Sequence, residues 1–236
     1  MVIEDWQAEA VYASLGAADG SAWAWEFLRR NPRYQAQWAE FDRTWRALEA
    51  AYGRPPNRDF CAWKEDPRAW IRVDEAHVGD CRVDHDKVLI ECAFGAHWGF
   101  YKFPPDPRDG AAAREQRIAW RELPPVERVL APGSALSDRP ERAALAFDLD
   151  LPLKPQLEQA RRELAILQRR RQREQGLRLR TISNLKGELL AELTLLDAQE
   201  AGAPDEALRL LGGEAVMQRA LARRDGGYLE LPWLPG

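Results

Sequence analysis

The chain has 236 residues, of which 45% are hydrophobic and 31% charged, a balance that excludes wholesale disorder and leaves room for one large core or two small ones. No apolar run is long enough to span a bilayer, and the opening MVIEDWQ lacks the basic and then hydrophobic pattern of a secretory leader, so a cytoplasmic protein without a membrane partner is expected. The formal charge of -4 is unevenly spread: Lys154 to Arg180 holds nine basic and three acidic residues, a net of +6 that leaves -10 on the remainder.

Three helices are predicted at the start. The first is DWQAEAVYASL. The second, GSAWAWEFLRR, is capped by Ser21, with Trp23 and Phe27 on one face and Ala24 and Leu28 beside them. In the third, Asn31 caps, Pro32 opens, and Tyr34, Trp38, Phe41, Trp45, Leu48 and Tyr52 follow at steps of three and four. Aromatics beside arginines can stack on nucleic-acid bases, but this spacing assigns the stripe to a core. Arg29, Arg30 and Arg33 are then expected at a solvated corner between helices. Residues 1–62 thus read as an aromatic-rich helical unit.

Residues 63–153 read as a small, mainly antiparallel β unit. AWIRV, KVLIECAF and WGFYKF look like strands, with GAH as a hairpin turn; RIAWREL and RAALAFDLDL are further strand candidates. PPDPRDG and LAPGSALSDRPE are expected as surface connections.

Residues 154–236 return to helix. LKPQLEQARRELAILQRRRQREQG starts at Pro155, ends at Gly176, and carries a narrow seam of Leu157, Ala160, Leu164 and Leu167. Its first half is expected to pack and its basic second half to project. NLKGELLAELTLLDAQEAG, PDEALRLL and EAVMQRALARRDGG then give three helices in the order of a helix-turn-helix unit. The predicted fold class is α+β: an N-terminal helical unit, a central small antiparallel sheet, a long basic helix and a C-terminal helix-turn-helix-like unit.

Chemistry has little footing in this pattern. His77, Cys81, His85, Cys92 and His97 lack the two tight ligand pairs of a zinc ribbon or finger, so no metal site is expected. The three cysteines are expected as free thiols, with Cys92 facing the sheet core. No GxSxG, phosphate-binding glycine loop, HExxH or dinucleotide fingerprint occurs. The chain reads as a non-enzyme without a cofactor.

Charge points elsewhere. Arg169, Arg170, Arg171, Arg173, Arg178 and Arg180 are candidates for the phosphate contacts that supply salt-sensitive affinity for nucleic acid. Gln218, Arg219, Arg223 and Arg224 share part of one side of the final helix and are candidates for base edges. A solvated helix end whose cations favour the macrodipole is the competing reading of the arginine run.

Two stretches resemble a bacterial family. DWQAEAVYASLGAADGSAWAWEFLRRNPRY, Asp5 to Tyr34, is similar to the transcriptional-regulator-like N-terminal domain of proteins carried on proteobacterial integrative and conjugative elements. LLDAQEAGAPDEALRLLGGEAV, ending in RRDGGYLEL, resembles the helix-turn-helix-like C-terminal domain that often accompanies it. Ala207 stands five residues before Gly212, not the four of the commonest helix-turn-helix, a spacing that suits this family. The resemblance implies a regulator of a mobile element, with double-stranded DNA as partner and another regulatory protein, RNA polymerase or a second copy as further candidates. It also implies an alternative as runner-up, a protein-binding adaptor or antiactivator that makes no DNA contact.

Overall fold

The computed structural model describes residues 6, 12–75, 82–101, 103–113, 115, 117–121, 143–176 and 180–236. Described residues of 1–123 and 181–236 belong to one compact unit, and those of 124–180 to a second. This grouping departs from the three consecutive units read from the sequence. The reason is a shared core: Trp23, Trp25, Phe27 and Tyr34 from the N-terminal helices pack with Trp98, Phe100 and Trp120, and with Leu189, Leu193, Ala220, Tyr228 and Leu231 from the C-terminal segment.

Helix α1 is Gly20–Arg29 and α2 is Pro32–Tyr52. Asn31 caps α2 as expected, its side-chain oxygen accepting from the amides of Arg33 and Tyr34. The cap of α1 is Asp19, not Ser21; its carboxylate accepts from the Ala22 amide. Ser21 instead accepts a hydrogen bond from Trp120 Nε1 at 2.8 Å. The aromatic stripe on α2 turns to the interior, fully at Tyr34 and Leu48 and partly at Trp38, Phe41, Trp45 and Tyr52. Of the expected first helix, most of the stretch lies outside the described residues; Ala13–Leu15 form a single 3-10 turn.

Three backbone carbonyls of the PPDPRDG loop each accept from a buried or half-buried aromatic. Tyr34 Oη reaches Pro105 at 2.5 Å, Trp38 Nε1 reaches Pro104 at 3.2 Å, and Trp25 Nε1 reaches Asp109 at 2.8 Å. Polar tips on apolar rings thus tie the connection down, which is how buried Tyr and Trp satisfy their donors.

Helix α3 is Phe60–Glu65. Strands β1 (Trp70–Arg72), β2 (Arg82–Asp84) and β3 (Lys87–Leu89) form an antiparallel sheet in the order β1-β3-β2. The α+β class therefore holds, with a smaller sheet than expected. KVLIECAF divides: β3 ends at Leu89 and helix α4 runs Ile90–His97, taking the expected GAH turn into its last residues. Glu91, Cys92, Ala93 and Gly95 of this helix are buried. WGFYKF and RIAWREL contribute one isolated antiparallel bridge, Phe100 to Trp120. The described part of RAALAFDLDL has no regular structure. Cys61 is an exposed free thiol, whereas buried Cys92 is disulfide-bonded, which corrects the reading of three free thiols. Cys81 lies outside the described residues.

Helix α5, Leu153–Gln175, belongs to the second unit and ends at Gly176 in the left-handed region, with φ 63. None of its described residues is buried, so the expectation that its first half packs is corrected. A seam of two apolar residues per seven is too narrow for a globular core and suits a second helix.

Helices α6 (Ile182–Glu200), α7 (Asp205–Leu210) and α8 (Gly213–Arg224) follow, then a 3-10 segment, Gly227–Trp233, that packs on α1. Gly212, at φ 140, makes the turn between α7 and α8. Gly20 is required at the seat of the last segment: a Cβ there would lie 1.9 Å from the Leu231 carbonyl oxygen.

Candidate nucleic-acid interface

Helix α8 meets α6 around one buried carboxylate. Glu192, fully buried on α6, faces Arg223 with Oε2 2.5 Å from Nε, and the Arg223 side chain is only 11% exposed. A carboxylate withdrawn from water must be paired, and this arginine supplies the pair. Its guanidinium also lies 5.7 Å from the centre of the Phe27 ring. Arg223 is therefore committed to the interior and is not presented to a base edge.

Arg219, one turn earlier, approaches the same carboxylate at 3.6 Å but keeps about half its side chain in solvent. Gln218 beside it is exposed. Arg224 is half-buried and pairs with Asp225 at 2.8 Å. Asn31 Nδ2 donates to the Arg224 carbonyl at 3.1 Å and to Asp225 Oδ1 at 3.2 Å, joining the end of α8 to the cap of α2. Of the four base-edge candidates, Gln218 and Arg219 are exposed and Arg223 and Arg224 are partly buried.

Four of the six phosphate candidates lie on α5. Arg169, Arg170 and Arg173 are exposed near its C-terminal end and Arg171 is half-buried. Three or four cations within two turns, at the negative end of the macrodipole, make a concentrated positive patch. Arg180, exposed, immediately precedes Thr181, whose hydroxyl caps α6. Arg178 lies outside the described residues. The two candidate sets belong to different compact units.

A second network was missed by the sequence reading. Arg29 and Arg30, expected in solvent, are buried, while Arg33 is exposed as expected. Arg30 forms a fork on Asp197, Nε to Oδ1 at 2.6 Å and Nη2 to Oδ2 at 2.9 Å, and Tyr12 Oη donates to Oδ2 at 2.8 Å. Glu26 accepts from Arg29 Nε at 2.9 Å and from Arg30 Nη1 at 2.5 Å. Burial alone would raise the Glu26 carboxyl, yet the charges of Arg30 and Arg29 hold it below its ordinary value. Burial, together with the Asp197 charge, pushes the Tyr12 hydroxyl well up. The signal was present in TLLDAQ, where an aspartate interrupts an apolar run at a helix-interior position.

Among the described residues, Asp84, His85 and Asp86 bring ligand-type atoms within 4.8 Å of one another. They are consecutive residues at the end of β2 and in the turn to β3, and answer one another: Asp84 Oδ1 accepts from the His85 amide at 2.7 Å and lies 3.0 Å from its Nδ1. The Asp84 bond and the Asp86 charge raise the imidazole above its ordinary value. His97, exposed, packs edge-on to Trp98, and His77 lies outside the described residues.

Residues 5–61 match the family model of the proteobacterial transcriptional regulator-like domain. The match spans α1, α2 and the first residues of α3, so it takes in Asp19, the two arginines of the buried network and the Asn31 cap. No curated protein and no solved structure matches the chain.

Proposed function

We propose that the protein is a transcriptional regulator that binds double-stranded DNA in a mobile-element setting, with the arginines of α5 on phosphates and Gln218 and Arg219 of α8 toward base edges. The observation that carries this reading is the exposed cluster of Arg169, Arg170 and Arg173 near the C-terminal end of α5. The match of residues 5–61 to a transcriptional regulator-like domain supports the regulatory role, and the resemblance of both ends of the chain to integrative-element regulators supports the setting. Phosphate contacts of this kind give affinity without sequence, and a short helix reaching a groove gives the sequence preference.

The test is capture of genomic fragments by the purified protein, scored for one enriched site, followed by anisotropy titration of that duplex and a scrambled one over a salt series. A steep salt dependence on both, with tighter binding to the enriched site, is expected. Failure to bind any duplex at low salt would sink the reading.

A second reading has its own support. Glu192 holds Arg223 and draws on Arg219, which weakens α8 as a DNA reader, and α5 exposes leucines as well as arginines. An adaptor or antiactivator that acts on another regulator would use such a surface. Co-purification of that regulator from the native host, with no duplex bound, would establish it in place of the first.

A further inference from the structure

Helix α5 displays Leu153, Leu157, Leu164 and Leu167 along one face, each at least 37% exposed, and the segment before it displays Leu145, Phe147, Leu149 and Leu151. Isolated exposed leucines need no explanation, but a contiguous apolar face of this kind marks an interaction surface. We propose that its occupant is the same helix of a second copy of the chain, lying antiparallel.

The period of the seam sets the kind of occupant. Leu153, Leu157, Ala160, Leu164, Leu167 and Arg171 follow at steps of four and three, the repeat that keeps a seam facing one partner helix. Antiparallel pairing brings every seam position opposite another. Leu157 meets Leu167 of the second copy, Ala160 meets Leu164, and Leu153 lies level with Arg171, whose stem can cover it. Large and small side chains alternate across the centre, as close packing of two helices requires.

Charge sets the direction. A parallel pair would bring the two clusters of Arg169, Arg170, Arg171 and Arg173 side by side, at the cost of like-charge repulsion in one small volume. The antiparallel pair carries each cluster to the opposite end, where Asp148, Asp150 and Glu158 outnumber Lys154. Arg161 and Glu163 then face their own copies across the axis, at exposed rim positions where such pairs count for little. The seam is shorter than three heptads, so the dimer should be reversible and concentration-dependent.

The inference does not rest on the DNA reading, because it is measured without nucleic acid. Sedimentation equilibrium of the full chain should give a mass rising from 26.9 kDa toward twice that value with concentration, while Leu164→Glu should remain at the monomer mass. All ten tryptophans lie outside residues 124–180, so an unchanged tryptophan spectrum shows that the larger unit of the variant is folded. Direction is read by disulfide trapping in a Cys61→Ser background. A mixture of Leu157→Cys and Leu167→Cys chains should cross-link on oxidation, and neither variant alone should. Cross-linking of each variant alone would mean a parallel pair and overturn the orientation. A monomer at every concentration with no mixed cross-link, as when another surface of the same chain covers the seam, would overturn the proposal whatever the DNA assays give.

Discussion

Arg30 and Asp197 stand 167 residues apart and meet in the core as a two-pronged ion pair, at 2.6 and 2.9 Å, with side chains 2% and 0% exposed. The pair joins the C-terminal cap of α1 to α6. It ties the segment that matches the transcriptional regulator-like domain to the C-terminal helices, so neither end has a complete polar core alone. The first prediction follows from the asymmetry of buried pairs: removing one partner strands the other charge, whereas replacing both with apolar groups does not. Asp197→Ala should cost about 3–5 kcal/mol in urea denaturation. Arg30→Met combined with Asp197→Leu should cost clearly less than Asp197→Ala. A double variant as unstable as the single one would show that shape, not charge pairing, dominates the site.

Glu26 gives the same network a pH dependence. Its carboxyl is held below its ordinary value of 4.5 by Arg30 and Arg29 despite burial. A carboxyl whose folded value is depressed adds stability that is complete above the unfolded value and is lost as the pH falls through the folded one. Glu26→Gln should therefore be less stable than the parent at neutral pH, and the gap should narrow below about pH 4.5. Paired urea titrations at several pH values measure it. A gap that stays constant into acid would remove the charge interaction as its cause.

Two glycines separate a packing requirement from a permissive site. Gly20 opens α1 with its Cα against the Leu231 carbonyl, and Gly187 sits in α6 with nothing within 4 Å of an added Cβ. Gly20→Ala must displace backbone and should destabilise by roughly 1–3 kcal/mol. Gly187→Ala should instead stabilise by about 0.5–1 kcal/mol, the ordinary helix gain. Thermal melts of the two variants against the parent decide it; a harmless Gly20→Ala would mean that the closing 3-10 segment is not seated as described.

These sites mark how far the sequence could be read. The Asn31 cap, the Pro32 start and the inward turn of Tyr34 and Leu48 were legible because each rests on local stereochemistry or on the helical period. The change from strand to helix inside KVLIECAF was not, since a short apolar run is compatible with either and its small residues earn their helix only by packing. The commitment of Arg30 and Arg223 to the interior was hidden for another reason. Their partners, Asp197 and Glu192, are 167 and 31 residues away, and an arginine's role depends on where a distant carboxylate arrives. On α5 the narrow seam was visible, but burial was expected where the structure leaves the leucines exposed.

The last prediction separates DNA binding from action through a protein partner, and it uses the different situations of four arginines. Arg169 and Arg170 are exposed on α5, so replacing both by alanine should leave stability unchanged. If they meet phosphates, binding to all duplexes should weaken alike, and the slope of log affinity against log salt should fall by about 1.8, or 0.9 per lost contact. Arg219 is half in solvent and approaches Glu192 at 3.6 Å. Its alanine variant should lose about 1–3 kcal/mol on the preferred site and much less on random duplex. Arg223→Ala is the control, because it uncovers the buried Glu192 and should lower the melting temperature before it alters any salt slope. If the Arg169 and Arg170 double variant keeps the parent's slope while Arg219→Ala weakens binding to every sequence equally, the two groups do not divide the work as assigned. If no variant changes duplex binding but the leucine variant of α5 loses a co-purifying regulator, the adaptor reading takes its place.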